Sequence, residues 1–375
     1  MINYLKKANP ARLRGTALLR LDFNTEDDWR MRAVLPTIKF LLKHADKVVI
    51  VSHKGRPAGF EKKLSMKKNA AHLSRLLAAE RLSGGRVRFV GHFRFADIKK
   101  EVAAAPRRSI FLLENLRFLP GEEKNDPDLA RRLASLADFY VNDAFAVCHR
   151  ANASVVAITK FLPSYAGFEL ESEITSLSRA MVKPKRPFVL ILGGAKASDK
   201  LGVIKFFEKK ADWFLLGGGP ANTILQIRGM DIKKSVHDAD PDSVRELKKL
   251  VASQHTAQRI VVPSDFVWEG DLILDLGPKS IAAFSKKITA ARTILWSGPL
   301  GLIEKKRYAK GSILVAKAIA KNRRAFSVAG GGETVMFLKK YGLDKKFSFI
   351  STGGGAMVDF LAGEKLPGIA ALQNS

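Results

Sequence analysis

The chain has 375 residues, enough for about two domains with their own cores. Its residues are 46% hydrophobic and 27% charged, a globular composition, and no apolar run approaches the roughly 18 residues of a membrane span. The N-terminus lacks the apolar core of a secretory signal, and the single cysteine, Cys148, excludes an internal disulfide framework, so we expect a cytoplasmic protein with no membrane partner.

The net charge of the chain indicates which classes of ligand it would attract. Lys and Arg number 64 against 36 Asp and Glu, a formal net charge of +28. Such an excess attracts polyanions, and it favours nucleotides, phosphorylated metabolites or nucleic acid without choosing among them.

Short apolar runs alternate with helical patterns in the first half of the chain. Strands are predicted at 17–23, 47–52, 110–113 and 139–141, and helices at 33–44, 70–79 and 129–137. This alternation predicts a parallel sheet with helices on both faces, in which ligands bind beyond the carboxyl ends of the strands.

Polar and cationic residues stand at those predicted strand ends. Three arginines and a histidine around one crevice suit a small phosphorylated anion, which we favour over scattered surface positions. The residues are Asp22, Asn24, His53, Arg56, Arg117 and Arg150, and Arg30 precedes the first helix.

A connecting helix is predicted at 168–181, where apolar residues form one stripe. The segment 182–187, with Pro184 and Pro187, breaks it. We interpret this break as a domain boundary and a semi-rigid hinge.

The stretch from Gly193 to Lys200 follows an apolar strand at 188–192 and precedes a helix at 201–207. Backbone N–H groups at two glycines and the start of a helix can bind an anion. If the first helical turn begins near Ala195, Lys196 and Lys200 share a face and both reach a polyphosphate. A tight turn with solvated lysines is the alternative, and the spacing is not the Walker pattern.

Four glycine clusters each follow a strand of the second half. They lie at 193–194, 217–219, 330–332 and 353–355, among further strands predicted at 213–216, 259–262, 293–296, 326–329 and 347–350. Glycines along one sheet edge indicate backbone close to a bulky ligand, for which a nucleotide is the natural candidate. Two anion sites on two hinged domains predict phosphoryl transfer across a cleft that closes.

These motifs resemble the phosphoglycerate kinase family over nearly the whole chain. The similar stretches include Arg20-Leu21-Asp22-Phe23-Asn24, Ser52-His53-x-Gly55-Arg56-Pro57, Leu113-Glu114-Asn115-Leu116-Arg117-Phe118, Gly193 to Lys200 and Ser351-Thr352-Gly353-Gly354-Gly355-Ala356. The resemblance implies reversible transfer from 1,3-bisphosphoglycerate to ADP, giving 3-phosphoglycerate and ATP in glycolysis, by a monomer that uses Mg²⁺.

The resemblance also implies a role for each matching residue. Phosphoglycerate would be held by Asp22, Asn24, Arg30, His53, Arg56, Arg117 and Arg150, with Arg30, Lys196 and Lys200 as the catalytic groups. The nucleotide would contact Gly193, Gly194, Ala195, Lys196, Lys200, Gly217, Gly218, Pro299, Glu304, Gly331, Gly332, Glu333, Thr334, Gly354 and Gly355. Glu333, where the family has aspartate, would meet the nucleotide-bound Mg²⁺, and Ser297 stands in place of the usual asparagine.

The expected architecture is therefore α/β, with two doubly wound, Rossmann-like parallel-sheet domains joined by a hinge helix and a cleft between them. Its parts would be a phosphoglycerate-binding domain (1–168), the connecting helix and hinge (169–187), a nucleotide-binding domain (188–355) and a tail returning to the first domain (356–375).

Two alternatives to the glycolytic enzyme remain open. One is a basic nucleic-acid-binding protein on the same fold, with catalysis weakened at Glu333. The other is a kinase for a different carboxylate or phosphate acceptor. The strand-end arginines favour the glycolytic enzyme over a pure binding module, which has no need of them.

Overall fold

The computed structural model of the protein describes residues 1–25, 28–81 and 86–373. The chain forms two compact units, the first comprising Met1–Ile174 and Lys365–Ser375, the second Thr175–Glu364. Residues 374 and 375, which the predicted tail includes, lie outside the described residues. No helix in the described ranges is long and apolar enough to cross a membrane.

The first unit is built on a six-stranded parallel sheet of order β3-β4-β2-β1-β5-β6. Its strands are β1 (Thr16–Arg20), β2 (Lys47–Val51), β3 (Val87–Val90), β4 (Ser109–Leu113), β5 (Phe139–Asn142) and β6 (Ser164–Ala166). Leu18 of the central strand is paired with Val49 on one side and Tyr140 on the other. These strands are nearly continuous apolar runs because both faces of such a sheet are covered.

Helices cross between the strands of the first unit. They are α1 (Trp29–Ala33), α2 (Leu35–His44), α3 (Lys67–Ala79), α4 (Phe95–Ala104) and α5 (Pro127–Ala134). Helix α6 (Phe168–Val182) follows β6, and its residues are divided between the two units after Ile174. The prediction of a single helix at 33–44 is wrong at the start of that range. Val34 is the C-cap of α1 and the N-cap of α2, so two helices meet at this residue. Pro36 lies in the first turn of α2, where its missing N–H costs no helical hydrogen bond, so a new helix starts there.

The second unit is built on a six-stranded parallel sheet of order β14-β13-β12-β7-β8-β9, with β10 and β11 forming a separate antiparallel pair. The strands are β7 (Phe188–Leu192), β8 (Trp213–Leu216), β9 (Ile260–Val261), β10 (Phe266–Glu269), β11 (Leu272–Leu276), β12 (Thr293–Ser297), β13 (Phe326–Gly330) and β14 (Phe349–Ile350). Chain order reverses between β7 and β12, which is where sheets of this kind bind ligands.

The helices of the second unit are α7 (Ser198–Phe207), α8 (Gly218–Ile227), α9 (Pro241–Ala252), α10 (Gln254–Ala257), α11 (Pro278–Ala290), α12 (Lys310–Lys321), α13 (Gly332–Lys340) and α14 (Gly355–Leu361). Short 3₁₀ helices occupy Leu5–Lys7, Pro10–Leu13, Lys62–Leu64, Leu116–Phe118, Phe145–Val147, Ala157–Lys160, Lys306–Tyr308 and Asp344–Lys346. Side chains of α11, α12 and the central strands form one core, in which Phe284, Val315 and Ile294 are fully buried.

The last helix, α15 (Pro367–Ala371), belongs to the first unit although it follows the second in sequence. The Gly368 N–H donates to the Cys148 carbonyl oxygen at 2.9 Å. A Cβ at Gly368 would come within 2.7 Å of Val155. Such a contact is too close for a larger residue, so glycine allows the tail to pack directly on the backbone at Cys148.

Candidate active site

Asp22, which is buried, and Arg30, which is partly exposed, form an ion pair just beyond strand β1. One carboxylate oxygen of Asp22 accepts the Asn24 N–H at 2.9 Å, and the other accepts a hydrogen bond from Arg30 Nη1. Burial opposes ionisation of Asp22, but the electrostatic interactions with His53 and Arg30 and the hydrogen bond from the Asn24 N–H outweigh it and lower the pKa of the carboxyl group. The Nε of Arg30 is buried without a hydrogen-bond partner among the described residues.

His53, at the end of β2, is only 3% exposed. Its Nδ1 lies 3.7 Å from a carboxylate oxygen of Asp22 and 3.3 Å from Nη2 of Arg20. Burial lowers the pKa of His53 to about 3, and although Asp22 opposes this shift, the charges of Arg20, Arg117 and Arg150 add to it. The imidazole is therefore neutral at physiological pH.

The three predicted arginines lie around this histidine with different exposure. Arg117 is buried, donates to the Gly55 carbonyl oxygen through Nη1 and holds Nε 3.2 Å from Glu123. Arg150 is partly exposed and donates to His149 at 3.1 Å, while Arg56 is exposed. Burial lowers the pKa of Arg117. The charge of Glu123 opposes this shift, and the charges of Arg150, Arg20 and Arg56 add to it. Several positive charges therefore lie close together at the strand ends, and a bound anion would neutralise them.

Asn24 connects two of these strand ends. Its side-chain oxygen accepts the Gly55 N–H at 2.8 Å, so the loop after β1 is tied to the loop after β2. All six predicted strand-end residues and Arg30 are therefore found at the carboxyl edge of the first sheet.

Sequence reasoning missed a buried network behind this edge. Arg20 in β1 is fully buried, donates to Ser154 Oγ at 2.8 Å and lies 3.8 Å from Glu122. Glu122 also accepts the Ser154 N–H at 3.0 Å. The one signal in the sequence was an arginine within an otherwise apolar run, because an unpaired arginine is not stable there.

In the second unit, Lys200 and Ser297 meet where the strand order reverses. Lys200 Nζ lies 3.2 Å from Ser297 Oγ, which joins the first turn of α7 to the end of β12. Burial lowers the pKa of Lys200, and the charges of Asp199 and Glu333 oppose the shift. Helix α7 begins at Ser198, not near Ala195, so the predicted common helical face for Lys196 and Lys200 is wrong.

Lys196 and Lys200 nevertheless line one open cavity, Lys196 from the loop before α7. Glycines at the starts of α13 and α14 close its other sides, together with the exposed Glu333 in the first turn of α13. The buried hydroxyl of Thr334 accepts the Gly298 N–H at 2.9 Å and so fixes that helix start against the loop after β12. The cavity is lined by Gly193, Gly194, Ala195, Lys196, Asp199, Lys200, Ser297, Gly298, Gly331, Gly332, Glu333, Thr334, Gly354, Gly355, Val358 and Asp359.

A mainly apolar groove adjoins this cavity and shares Gly194, Ala195 and Glu333 with it. Of the predicted residues it contains Gly218, Pro299 and the exposed Glu304. Gly217 is buried and does not line the groove. Sequence reasoning missed the groove's other wall, which comes from Pro263, the β10–β11 pair and helix α8: Phe266, Ile273, Leu274, Asp275, Leu276 and Asn222.

Packing explains some of the glycines that we ascribed to a ligand. A Cβ at Gly193 would overlap the Pro299 carbonyl oxygen, and one at Gly219 would overlap the Ala195 carbonyl oxygen. At Gly194 and Gly332 a Cβ would meet nothing within 4 Å. Because Gly194 has a φ of +95°, its own backbone also favours glycine. Only some of the glycines in these clusters are therefore left to be explained by a ligand.

The fold and these clusters define an α/β protein equipped for phosphorylated ligands at the carboxyl edges of two parallel sheets. A family model described as phosphoglycerate kinase matches residues 14–364. The chain belongs to the phosphoglycerate kinase family, phosphotransferases with a carboxyl group as acceptor. This confirms the resemblance and the predicted α/β fold with parallel sheets.

Relatives match the chain over almost its whole length. The phosphoglycerate kinase of Dictyoglomus turgidum is 40% identical over an alignment of 384 positions, which covers 95% of each chain. The cytosolic phosphoglycerate kinase of Triticum aestivum is 40% identical over 370 residues, covering 93% of this chain and 91% of the relative.

Solved structures also match the chain over almost its whole length. The phosphoglycerate kinase of Coxiella burnetii has a TM-score of 0.84 at 32% identity and covers 100% of this chain and 99% of its own. That of Pyrococcus horikoshii has a TM-score of 0.86 at 32% identity, covering 99% and 98%.

Proposed function

We propose that the chain transfers a phosphoryl group reversibly from 1,3-bisphosphoglycerate to ADP, as the glycolytic members of its family do, and that it works as a cytoplasmic monomer. The observation that carries the proposal is that each sheet presents anion-binding groups at its carboxyl edge. One edge has arginines around a neutral histidine, and the other has lysines among glycine-started helices. The named cytosolic relative supports the location.

The first unit would hold phosphoglycerate. The 3-phosphate suits the guanidinium groups of Arg56, Arg117 and Arg150, whose like charges an anion would relieve. Neutral His53 would donate one hydrogen bond, and Asp22 and Asn24 would orient the polar end of the substrate. Arg30, with its buried unpartnered Nε, would place a donor on the transferring phosphoryl group.

The second unit would hold the nucleotide. The mainly apolar groove that includes Pro299 suits the base, and Glu304 at its rim would accept hydrogen bonds from the ribose hydroxyls. The adjoining cavity, with Lys196 and Lys200 and the N-terminal amides of α13, suits the phosphates.

The donor set of that cavity fits Mg²⁺. No group of three or more His, Cys, Asp or Glu side chains that could bind a metal alone occurs in the described ranges, but Glu333 offers hard oxygens beside the phosphate cavity. Mg²⁺ in phosphoryl-transfer sites is typically held by one or two carboxylates plus substrate phosphates. When bound there it would neutralise phosphate charge.

In the proposed step, a β-phosphate oxygen of ADP attacks the acyl phosphate phosphorus. The phosphorus–oxygen bond to the carboxyl group breaks, and its electron pair leaves on the carboxylate of 3-phosphoglycerate. No proton transfer is needed, so the side chains act by positioning and by charge neutralisation. Arg30 and Lys196 would stabilise the charge on the transferring group, and the expected hinge would bring the two substrates within reach and exclude water.

The test is ATP-dependent phosphorylation of 3-phosphoglycerate, coupled to NADH oxidation, with Mg²⁺ and Mn²⁺ in parallel. We expect turnover on the order of 1 to 100 per second or faster. Other carboxylate and phosphate acceptors are run under the same conditions. Folded protein that is inactive with both metals, or that prefers another acceptor, would overturn the proposal.

A further inference from the structure

A second cationic concavity lies in the first unit, away from the strand ends that would hold phosphoglycerate. One wall is the amino-terminal part of helix α3, with Lys67 followed by the small residues Ala70, Ala71 and Ser74. The rest comes from the edge strand β3 with the residue before it and from the turn before β4: Arg86, Val87, Arg88, Phe89, Pro106, Arg107, Arg108 and Ser109. None of these residues belongs to the candidate active site.

The lining contains five cations and no acidic residue. All five side chains, Lys67, Arg86, Arg88, Arg107 and Arg108, are exposed. For Lys67, Arg86 and Arg88, no carboxylate lies within 4 Å in the part of the chain that the structure describes. Arg107 is paired with Asp46 at 2.7 Å, but both side chains are exposed, and such surface pairs contribute little.

The shape of the site limits what this charge can bind. A hollow does not match a flat lipid surface. The two large apolar side chains of the lining, Val87 and Phe89, are buried and partly buried, so they are not available to insert into lipid. Five exposed cations with no acidic residue among them match a ligand with several phosphates, and the net charge of +28 would draw such a polymer to the protein.

We propose that this concavity binds the phosphate backbone of RNA, independently of its sequence. Phe89 is the one aromatic side chain in the lining and is partly buried, so there is no platform on which successive bases could stack. Affinity then comes from phosphate contacts alone and falls steeply with salt. The inference does not depend on the proposed kinase reaction, because the two sites share no residue.

The test measures fluorescence anisotropy of a labelled oligouridylate of about 20 nucleotides over a series of salt concentrations. One variant combines Lys67→Gln, Arg86→Gln and Arg88→Gln. The matched control combines Lys286→Gln, Arg323→Gln and Arg324→Gln, which removes the same charges from exposed positions of the second unit. Circular dichroism and kinase turnover show whether each variant folds.

Each phosphate contact to a single strand contributes roughly 0.7 to the slope of log K against log salt concentration. We expect the concavity variant to lose about tenfold or more in affinity at low salt and about 2 in slope, with turnover unchanged. The control should bind RNA nearly as the wild type does.

Three results would overturn the proposal. The first is equal weakening in both variants, which would show that only the overall charge matters. The second is displacement of RNA by saturating 3-phosphoglycerate, which would place it among the strand-end arginines. The third is binding of inorganic polyphosphate but not of RNA, measured by competition at equal phosphate concentration.

Discussion

Arg30 Nη1 donates a hydrogen bond to the carboxylate of Asp22, while Nε of the same guanidinium is buried without a partner among the described residues. Asp22 follows strand β1, and Arg30 lies in helix α1, so the pair fixes the helix to the sheet edge. The carboxylate thus orients a guanidinium that keeps one donor for a ligand.

Replacing Arg30 with lysine tests this geometry, because it keeps the charge and removes the planar fork. We expect kcat to fall on the order of 10²-fold, the loss typical of one transition-state donor. Arg32→Lys is the control, since Arg32 lies in the same helix, is exposed, and pairs with the partly exposed Asp28. Steady-state kinetics of the two variants should differ sharply, and similar small losses in both would remove Arg30 from the transfer step.

Lys196 and Lys200 line the same cavity, and Lys200 Nζ is hydrogen-bonded to Ser297 Oγ. Lys196 is exposed in the loop before α7, where its charge interacts with Asp238. We predict that Lys196→Ala abolishes turnover and leaves phosphoglycerate binding largely intact, because that substrate is held by the first unit.

Calorimetric titration with 3-phosphoglycerate and coupled assays would separate the two effects. Lys209→Ala, at another exposed position of the second unit, is the matched control and should leave both unchanged. Equal loss of binding and turnover in Lys196→Ala would contradict the assigned role.

Glu333 is exposed in the first turn of α13, at the edge of the phosphate cavity. Shortening it by one methylene in Glu333→Asp keeps the hard oxygens that Mg²⁺ prefers. We expect turnover with Mg²⁺ to be preserved or raised, measured as initial rates over a magnesium titration. A large loss would instead show that the site has been rebuilt around glutamate. Glu364→Asp, at an exposed position that lines neither the cavity nor the groove, controls for the chemical change itself.

The order of strands and helices could be predicted because periods of apolar residues and the residues that interrupt them are local signals. The start of α7 could not be predicted, because its N-cap residue is Ala197. Alanine makes no side-chain hydrogen bond to the helix end and therefore gives no N-cap signal in the sequence. Strand β3 was missed for a similar reason: it is a short edge strand in which Arg88 is exposed. The periodicity of apolar residues indicates which side chains are buried, so elements with one exposed face are the hardest to recognise.

The candidate site could be predicted as far as its residues follow buried strands. Its supporting network could not, because the Ser154 that accepts from Arg20 lies 134 residues further along the chain. The wall of the groove from β10 and β11 was missed because these strands are only partly buried and antiparallel. Contacts of that kind arise from tertiary packing and leave no local pattern.

The protonation of His53 gives a prediction with a definite sign. Burial lowers the pKa of His53 in the folded protein to about 3, below the value near 6.5 of an unfolded chain. Between these values the unfolded state binds a proton that the folded state does not, so the stability from this group is full above about pH 6.5 and is lost as pH falls toward 3. His53→Gln should flatten the dependence of unfolding free energy on pH by up to about 1.4 kcal/mol per pH unit in that window.

Denaturant unfolding at pH 7.5, 5.5 and 4.5 would measure this slope, with His44→Gln as the control for loss of an imidazole.

The ring C2–H resonance of His53 provides an independent readout by NMR. It should not move between pH 7.5 and 4.5 in the free enzyme, because the imidazole stays neutral. Bound 3-phosphoglycerate should raise the pKa of His53, since the anion offsets the charges of Arg117 and Arg150. Titration of His53 near pH 6.5 in the free enzyme would contradict the buried, arginine-surrounded site.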